Sequence, residues 1–465
     1  MKISVIGAGY VGLTTAACLA QIGHDVFCSE SDIAKLEKLQ NGIMPLFEPS
    51  LEEVLRNVRS AGRLAFGSTE HAIEHGKAIF ICVGTPPLPN GDADLSAIEN
   101  VARTIAKRAK GYRLVVEKST VPVQTGSQLR KHLEVHGTSA LDYDVASNPE
   151  FLREGSAVMD FLHPERIVVG VESERAGDLL REIYEPILNV NFECPVHHTC
   201  ERTQRPTLLM TDTRSSELIK HASNSFLAMK ISFINAVACV CESVGADVHQ
   251  VVHGIGTDSR IGPRFLNPGI GYGGSCFPKD VMAFRSVARE CGYDFRLLDE
   301  VMRINEDQRQ RFVRKVHSAL WTLRGKKLAV LGLAFKGGTD DIRESPALAL
   351  VQCLLKEGSA ITAYDPAAMD RAREVLGASI SFTNSPYEAA QDADALLILT
   401  EWEEFANLDL ERIRQVLRYP IVIDGRNLYD PEMMAAQGFT YYSVGRAAAH
   451  PDGVPLGVQR NGKKA

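Results

Sequence analysis

The 465-residue sequence has no excess of positive charge: 51 Lys and Arg stand against 58 Asp and Glu, a formal net charge of -7. Without a basic footprint, nucleic acid is not an expected partner. No apolar run approaches the roughly 20 residues a membrane helix needs, so no membrane partner is expected. Met1-Lys2 leads straight into the strand-like Ile3-Ser4-Val5-Ile6, which leaves no room for a signal peptide. The ten cysteines are scattered, with no framework of paired spacings. In a large chain without a secretory signal they read as reduced thiols, and a cytoplasmic location is expected.

What is present is ordinary for a globular protein, 45% hydrophobic and 23% charged. The chain is too long for one core, so two or three domains are expected. Residues 2–6 read as a buried strand, followed directly by Gly7-Ala8-Gly9-Tyr10-Val11-Gly12 and an Ala/Leu-rich helix. A second strand ends at Glu30, about 20 residues on. Strand, G-x-G-x-x-G turn, helix and acid together form the dinucleotide fingerprint. The glycines bring the pyrophosphate to the helix N-terminus, whose free N–H groups favour an anion. Glu30 is placed to bind the adenosine ribose hydroxyls and to repel a 2′-phosphate, so NAD is expected as cofactor rather than NADP.

Further α/β units continue the sheet. One strand ends in Gly84-Thr85-Pro86-Pro87 and another in Lys118-Ser119-Thr120-Val121-Pro122. Both put polar residues at strand C-terminal ends, where open α/β sheets bind ligands. Asn148-Pro149-Glu150-Phe151-Leu152-Arg153-Glu154 follows, with two carboxylates four apart, and fits either a solvated turn or the edge of a site. Residues 194–212 read as an irregular excursion. The Cys194, His197, His198 and Cys200 spacing is compatible with zinc, but no second Cys/His pair follows, so a surface loop is the reading and no metal is expected.

From about Arg214 to Val244, apolar residues recur at threes and fours, predicting a helix long enough to connect two domains. Lys220 and Asn224 lie one turn apart on one face. Gly269-Ile270-Gly271-Tyr272-Gly273-Gly274-Ser275-Cys276-Phe277-Pro278-Lys279-Asp280 comes later. Its glycines permit sharp turns and close approach to a ligand. Pro278 suits a first helical turn, and a thiol at a helix N-terminus beside Lys279 ionises more easily. Asp280 falls on the same face as Cys276, one turn on. Taken alone, the stretch also fits a glycine-rich loop around a structural cysteine. After a helical segment at about 299–320, a second α/β run begins at Gly325. Its Gly332-Leu333-Ala334 lacks the full fingerprint, so this half should bind something other than a second NAD. The tail from Pro451 reads as disordered.

GAGYVG, VGTPP, KSTVP, SNPEFLREGSA, ELIKHASNSFLAMKISFIN, GYGGSCFPKD, LGLAFK with TDDIRESPA, and DGRN follow one another in the order found in the UDP-glucose/GDP-mannose dehydrogenases. The chain resembles that family, and its UDP-glucose branch most closely, over nearly its whole length. The resemblance implies an α/β protein: two Rossmann-like doubly wound domains joined by a long central helix and a helical dimerisation region. On that basis residues 1–211 form the N-terminal NAD-binding domain and 212–311 the central region carrying Cys276. Residues 312–465 form the C-terminal UDP-sugar-binding domain. The implied reaction oxidises C6 of UDP-glucose to a carboxylate with two NAD⁺ and one water.

The same resemblance implies the roles. Cys276 captures the aldehyde covalently, so that the second oxidation proceeds from a thiohemiacetal. Lys220 and Asn224 stabilise the oxyanion at C6. Asp280 holds a water that takes the first proton, and Glu150 assists thioester hydrolysis. Thr120 is implied in catalysis and in cofactor binding. The other cofactor contacts implied are Gly7, Gly9, Tyr10, Val11, Gly12, Glu30, Lys35, Thr85, Glu154, Lys279 and Arg343. Substrate contacts fall to Glu150, Phe151, Leu152, Glu154, Lys220 and Asn224, then to Asn267, Gly269, Gly271, Tyr272 and Gly273, and finally to Phe335, Lys336 and Arg426. A homodimer is implied, with Arg260 reaching the site of the partner subunit. Glu30 replaces the family's usual aspartate, and the 194–211 excursion is longer than the pattern. A sibling enzyme for GDP-mannose or a UDP-N-acetylhexosamine is the nearest alternative. The N-acetyl branch has histidine where this chain has Ser275. A catalytically silent nucleotide-binding protein on the same fold is the alternative of another class, and its expected mark is loss of Cys276, Lys220 or Asp280.

Overall fold

The computed structural model describes residues 1–196 and 205–451. The chain forms two compact units. Met1–Asn224 with Met282–Asp294 make the first, and Ser225–Val281 with the chain from Phe295 onward make the second.

The first unit is built on an eight-stranded sheet. Its strands are β1 (Lys2–Ile6), β2 (Asp25–Ser29), β3 (Leu64–Gly67), β4 (Ala78–Ile81), β5 (Gly111–Glu117), β6 (Leu141–Ser147), β7 (Arg166–Gly170) and β8 (Thr207–Thr211). Their order is β3-β2-β1-β4-β5-β6-β7-β8. The first six follow the doubly wound dinucleotide-binding order and pair in parallel. Among the described strands of this sheet, only the single bridge between Ser147 and Gly170 is antiparallel. The central strands are continuous apolar runs; all four residues of β4 are buried. That pattern suits a parallel sheet covered on both faces by helices.

The second unit repeats the plan with six strands. These are β9 (Lys327–Leu331), β10 (Ala360–Tyr364), β11 (Ser381–Phe382), β12 (Ala395–Ile398), β13 (Ile421–Asp424) and β14 (Thr440–Tyr442). They run β11-β10-β9-β12-β13-β14, all parallel, so the order is again 3-2-1-4-5-6. The α/β class and the two Rossmann-like sheets expected from the sequence are therefore present.

The helix Thr213–Val244 has 32 residues, about 48 Å at 1.5 Å per residue. Two expectations need correction here. The 194–212 stretch is not irregular throughout, because Thr207–Thr211 pairs in parallel with β7 as an edge strand. Leu208 and Met210 alternate along it and pack on the core, a period-two signal hidden among polar neighbours. His197, His198, Cys200 and the tail beyond Pro451 lie outside the described residues; Cys194 Sγ sits 3.3 Å from His163 Nε2. The second correction is that Thr213–Val244 is long and apolar enough to cross a bilayer by length and composition. Its polar side chains show what the apolar surface serves. Ser232 donates to Val301 O, and Asn235 accepts from Gly269 N, both buried inside the second unit. These bonds tie one face of the helix into the second unit.

Candidate active site

In the first unit, the turn after β1 runs into the helix Tyr10–Gln21. Gly9 is its N-cap, with no side-chain cap and no acid in the first turn. A helix start of this kind suits an anionic ligand. A β-carbon on Gly12 would fall 1.8 Å from Gly7 O, so only glycine lets the helix close on the turn. Glu30, at the end of β2, accepts from Ala8 N at 3.3 Å and pairs with Lys35 at 2.8 Å. Its other oxygen accepts from Ser31 N and Asp32 N. Burial pushes its carboxyl pKa up. The hydrogen bonds from Lys35, Asp32 and Ser31 outweigh that and hold the group below the usual carboxylate range. Turn, helix start and ionised acid fit a dinucleotide with a free ribose hydroxyl pair.

The corresponding turn of the second unit is built differently. Asp365 Oδ2, at the end of β10, accepts from Leu333 N at 2.7 Å and Ala334 N at 3.1 Å. The next helix begins only at Pro346. The amides that would meet a pyrophosphate already carry a carboxylate, and no helix start stands behind them.

At the C-terminal ends of β4, β5 and β6 the first unit gathers several predicted residues. Thr85 Oγ1 donates to Thr120 O at 2.8 Å, tying the two strand-end loops together. Lys220 Nζ donates to Glu150 Oε1 at 2.9 Å with both side chains buried, and Leu152 N donates to Glu150 Oε2 at 2.6 Å. The Lys220 ammonium also lies over the Phe151 ring. Asn224, one turn on, is buried. Glu48 accepts from Gly155 N and Ala157 N and so fixes the loop that carries Glu150 to Glu154. The two-way reading of Glu150 resolves in favour of a built, desolvated ion pair.

The second unit gathers the rest. Cys276 is half-buried, and Asp280 N donates to Cys276 O at 2.8 Å, which closes the first turn of the helix Phe277–Glu290 on the cysteine. Lys279 Nζ lies 2.8 Å from the buried Asp280 carboxylate. Gly274 N donates to Arg343 O, and the Phe335 ring packs at Gly274. Arg426 donates to Phe335 O and Leu399 O and lies beside Gly269. Lys336 sits over the Phe335 ring. Arg343 is held by buried Asp341. Asn267 is exposed, and so is Arg260, which pairs with Asp258 at 2.6 Å.

Sequence reasoning missed several residues that support these groups. Lys118 is buried, donates to Asn148 Oδ1 at 3.1 Å, and has its pKa pushed down to about 8 by burial. Glu117 is buried beside Glu217; burial and then the Glu217 charge push its pKa well up. Glu217 in turn accepts from Gln124 N and Gly126 N, both at 2.7 Å, one helical turn before Lys220. His221 pairs with Val121 O at 2.6 Å. In the second unit, Asn235, Asn305 and Gln308 hold the glycine-rich loop. The available signal was amides at buried positions of the helix Arg296–Leu320, where Leu298, Val301, Phe312 and Val316 are the apolar occupants.

A doubly wound unit with a dinucleotide turn, and a second unit presenting a cysteine on a glycine-rich loop, define a nucleotide-dependent oxidoreductase. Sequence comparison matches residues 1–188 to the NAD binding domain, 214–307 to the central domain and 329–431 to the UDP binding domain of one family. The chain belongs to the UDP-glucose/GDP-mannose dehydrogenase family. It is 42% identical over 448 residues to a UDP-glucose 6-dehydrogenase of Bacillus subtilis, covering 96% of this chain and 94% of that one. It is 45% identical over 452 residues to the UDP-glucose 6-dehydrogenase of Rhizobium meliloti, covering 96% and 100%. The solved UDP-glucose dehydrogenase of Pyrobaculum islandicum superposes with a TM-score of 0.86 at 37% identity, covering 96% and 98%.

Proposed function

We propose that the protein is an NAD-dependent UDP-glucose 6-dehydrogenase. It converts UDP-glucose, two NAD⁺ and one water into UDP-glucuronate, two NADH and three protons. The observation that carries this reading is near-full-length similarity to UDP-glucose 6-dehydrogenases at 40–45% identity, joined to an intact Cys276 loop. Gly7, Gly12 and Glu30 hold the dinucleotide, which when bound supplies the hydride acceptor.

The residues of this chain manage charge and covalent capture. The Lys220 ammonium and the Asn224 amide stabilise negative charge on the C6 oxygen. Asp280 orients a water that takes the hydroxyl proton. The Cys276 thiolate adds to the aldehyde carbon; a C–S bond forms, and the electron pair moves to oxygen. Loss of the second hydride from this thiohemiacetal leaves a thioester. Glu150 takes a proton from water as it adds, and the C–S bond breaks with thiolate leaving. Phe335, Lys336 and Arg426 bind the nucleotide sugar in the second unit.

A second copy of the chain is the proposed partner. Phe226, Phe233, Val240 and Val244 are 58%, 55%, 61% and 71% exposed and recur at sevens and fours on the helix Thr213–Val244. Such a stripe suits burial against its own copy, with exposed Arg260 contributed across the interface. Cys18, Cys28, Cys82, Cys239, Cys241, Cys291 and Cys353 are free thiols, which supports a cytoplasmic enzyme.

The test is NADH absorbance over a panel of nucleotide sugars with the product sugars analysed. UDP-glucose should give two NADH per sugar and a carboxylate product. One NADH with free aldehyde, or preference for GDP-mannose or a UDP-N-acetylhexosamine, would overturn the reading.

A further inference from the structure

Three amide side chains grip the backbone of the glycine-rich loop from inside the second unit. Gly269 N donates to Asn235 Oδ1 at 2.8 Å, and Gln308 Nε2 donates to Gly269 O at 2.7 Å. Tyr272 N donates to Asn305 Oδ1 at 2.8 Å, and Asn305 Nδ2 donates to Tyr272 O at 3.0 Å. Both polar backbone groups of residue 269, and both of residue 272, thus end on side-chain amides. All three amides are buried, Asn235 fully and Asn305 and Gln308 to within a tenth of their surface.

The arrangement goes beyond satisfying a buried loop. Asn305 pairs with the N–H and the C=O of one residue, as a neighbouring strand would, and so fixes the peptide planes on both sides of Tyr272. Between the two gripped residues lies Gly271 with φ +105°, where a β-carbon would fall 2.6 Å from Asn305 Oδ1. The soft point of the loop is therefore bracketed. Residues 305 and 308 are one turn apart on one helix, while Asn235 comes from another. Apolar side chains at these positions would fill the same volume but leave the backbone groups of residues 269 and 272 unpaired, at about 1–3 kcal/mol each. Direction is what an amide supplies and a leucine does not.

We propose that Asn235, Asn305 and Gln308 are positioning residues that set the trajectory of the loop and through it the placement of the Cys276 sulfur. The proposal rests on the reading of Cys276 as the nucleophile. Covalent capture followed by thioester release requires one sulfur position to serve both the making and the breaking of the C–S bond. A misplacement of about 1 Å costs about a hundredfold in such chemistry.

The test uses the full-length protein with Gln308→Met, which keeps length and loses the donor to Gly269 O, and separately Asn305→Leu. Three quantities are measured: kcat and KM for UDP-glucose oxidation, the melting temperature, and the rate at which iodoacetamide alkylates Cys276 without nucleotide, read by peptide mass. Exposed Cys291 is the internal control. For Gln308→Met the expected result is kcat lower by about ten- to a hundredfold with KM within about threefold. Alkylation of Cys276 should change by at least about threefold while Cys291 is unaffected. Wild-type kcat and wild-type alkylation with only a lower melting temperature would overturn the proposal and leave the amides a purely structural role. Should Asn305→Leu fail to fold, Gln308→Met decides. If the unaltered protein does not oxidise UDP-glucose, the functional reading falls by itself, and the alkylation comparison still decides this one.

Discussion

Lys220 Nζ lies 2.9 Å from Glu150 Oε1, and each side chain keeps only 4–5% of its surface. In so dry a pair each charge depends on the other. Glu150→Gln removes the proposed base for thioester hydrolysis and keeps one acceptor oxygen, enough for Lys220 Nζ or Leu152 N but not for both. Turnover should drop by about a hundredfold or more, with a sugar adduct accumulating on Cys276 that intact-protein mass spectrometry detects. Lys220→Ala, which strands the carboxylate, should cost roughly 3–5 kcal/mol of stability as well, measured by denaturant unfolding. An active, adduct-free Glu150→Gln enzyme would remove Glu150 from the hydrolytic step.

Cys276→Ser keeps the shape of the loop and replaces the proposed sulfur nucleophile by a hydroxyl that stays protonated. Steady-state turnover should fall roughly a thousandfold or more while nucleotide and nucleotide sugar still bind, as calorimetry can check. Cys276→Ala should bind both and form no adduct. Wild-type production of UDP-glucuronate by Cys276→Ala would end the covalent mechanism.

Cofactor choice should follow Glu30. Held ionised by Lys35 and two backbone N–H groups, it opposes a 2′-phosphate at neutral pH. NAD⁺ should therefore give much the higher kcat/KM, and Glu30→Ser should narrow the gap by raising activity with NADP⁺. Equal efficiency of the unaltered enzyme with both cofactors would place the ribose elsewhere.

Glu117 and Glu217 give a pH prediction with a definite sign. Burial, then the neighbouring Glu217 charge, raise the Glu117 pKa well above its ordinary value of 4.5. The Glu217 pKa is raised by burial too, against the hydrogen bonds from Gly126 N and Gln124 N and the charge of Arg214. The folded state therefore keeps a proton that the unfolded chain releases. Stability should decline as pH rises above 4.5 toward the raised value, by at most about 1.4 kcal/mol per pH unit for one proton. Glu117→Gln mimics the protonated acid and should flatten that slope. Melting curves of the two proteins from pH 5 to 9 test this (roughly the span over which the linkage acts); parallel curves would mean that no proton is retained.

Phe233→Glu, at the middle of the exposed helical stripe, should convert a dimer to a monomer at assay concentration by light scattering. An unaltered protein that is monomeric and fully active would count against a second copy on that face.

Much of this was legible in the sequence where the signal is local. The Gly7-to-Gly12 turn and Glu30 are bound by strand and helix periods that a reader can count. Cys276, Pro278 and Asp280 sit within one helical turn. What stayed hidden were partners distant in sequence: Glu117 with Glu217, Lys118 with Asn148, and Gly269 with Asn235 and Gln308. No spacing rule links them, because the long helices bring them together only in the fold. Strand β8 was hidden by the polar residues on either side of it. The long helix was legible from its period; only its bilayer-spanning length and apolarity were not, because polar residues interrupt every apolar run along it.

The path of the chain bears on how the protein can be taken apart. The backbone passes from the first unit to the second within Thr213–Val244, returns within Phe277–Glu290, and leaves again just ahead of Arg296–Leu320. Residues 282–294 bring back Ser286, which is hydrogen-bonded to Asp92, and Phe284, which packs against His221. A gene cut after residue 224 would thus yield a fragment missing part of its own interior, and no single cleavage separates two complete halves. Dissecting this enzyme into recombinant modules calls for a splice that carries the 282–294 segment across, not a truncation.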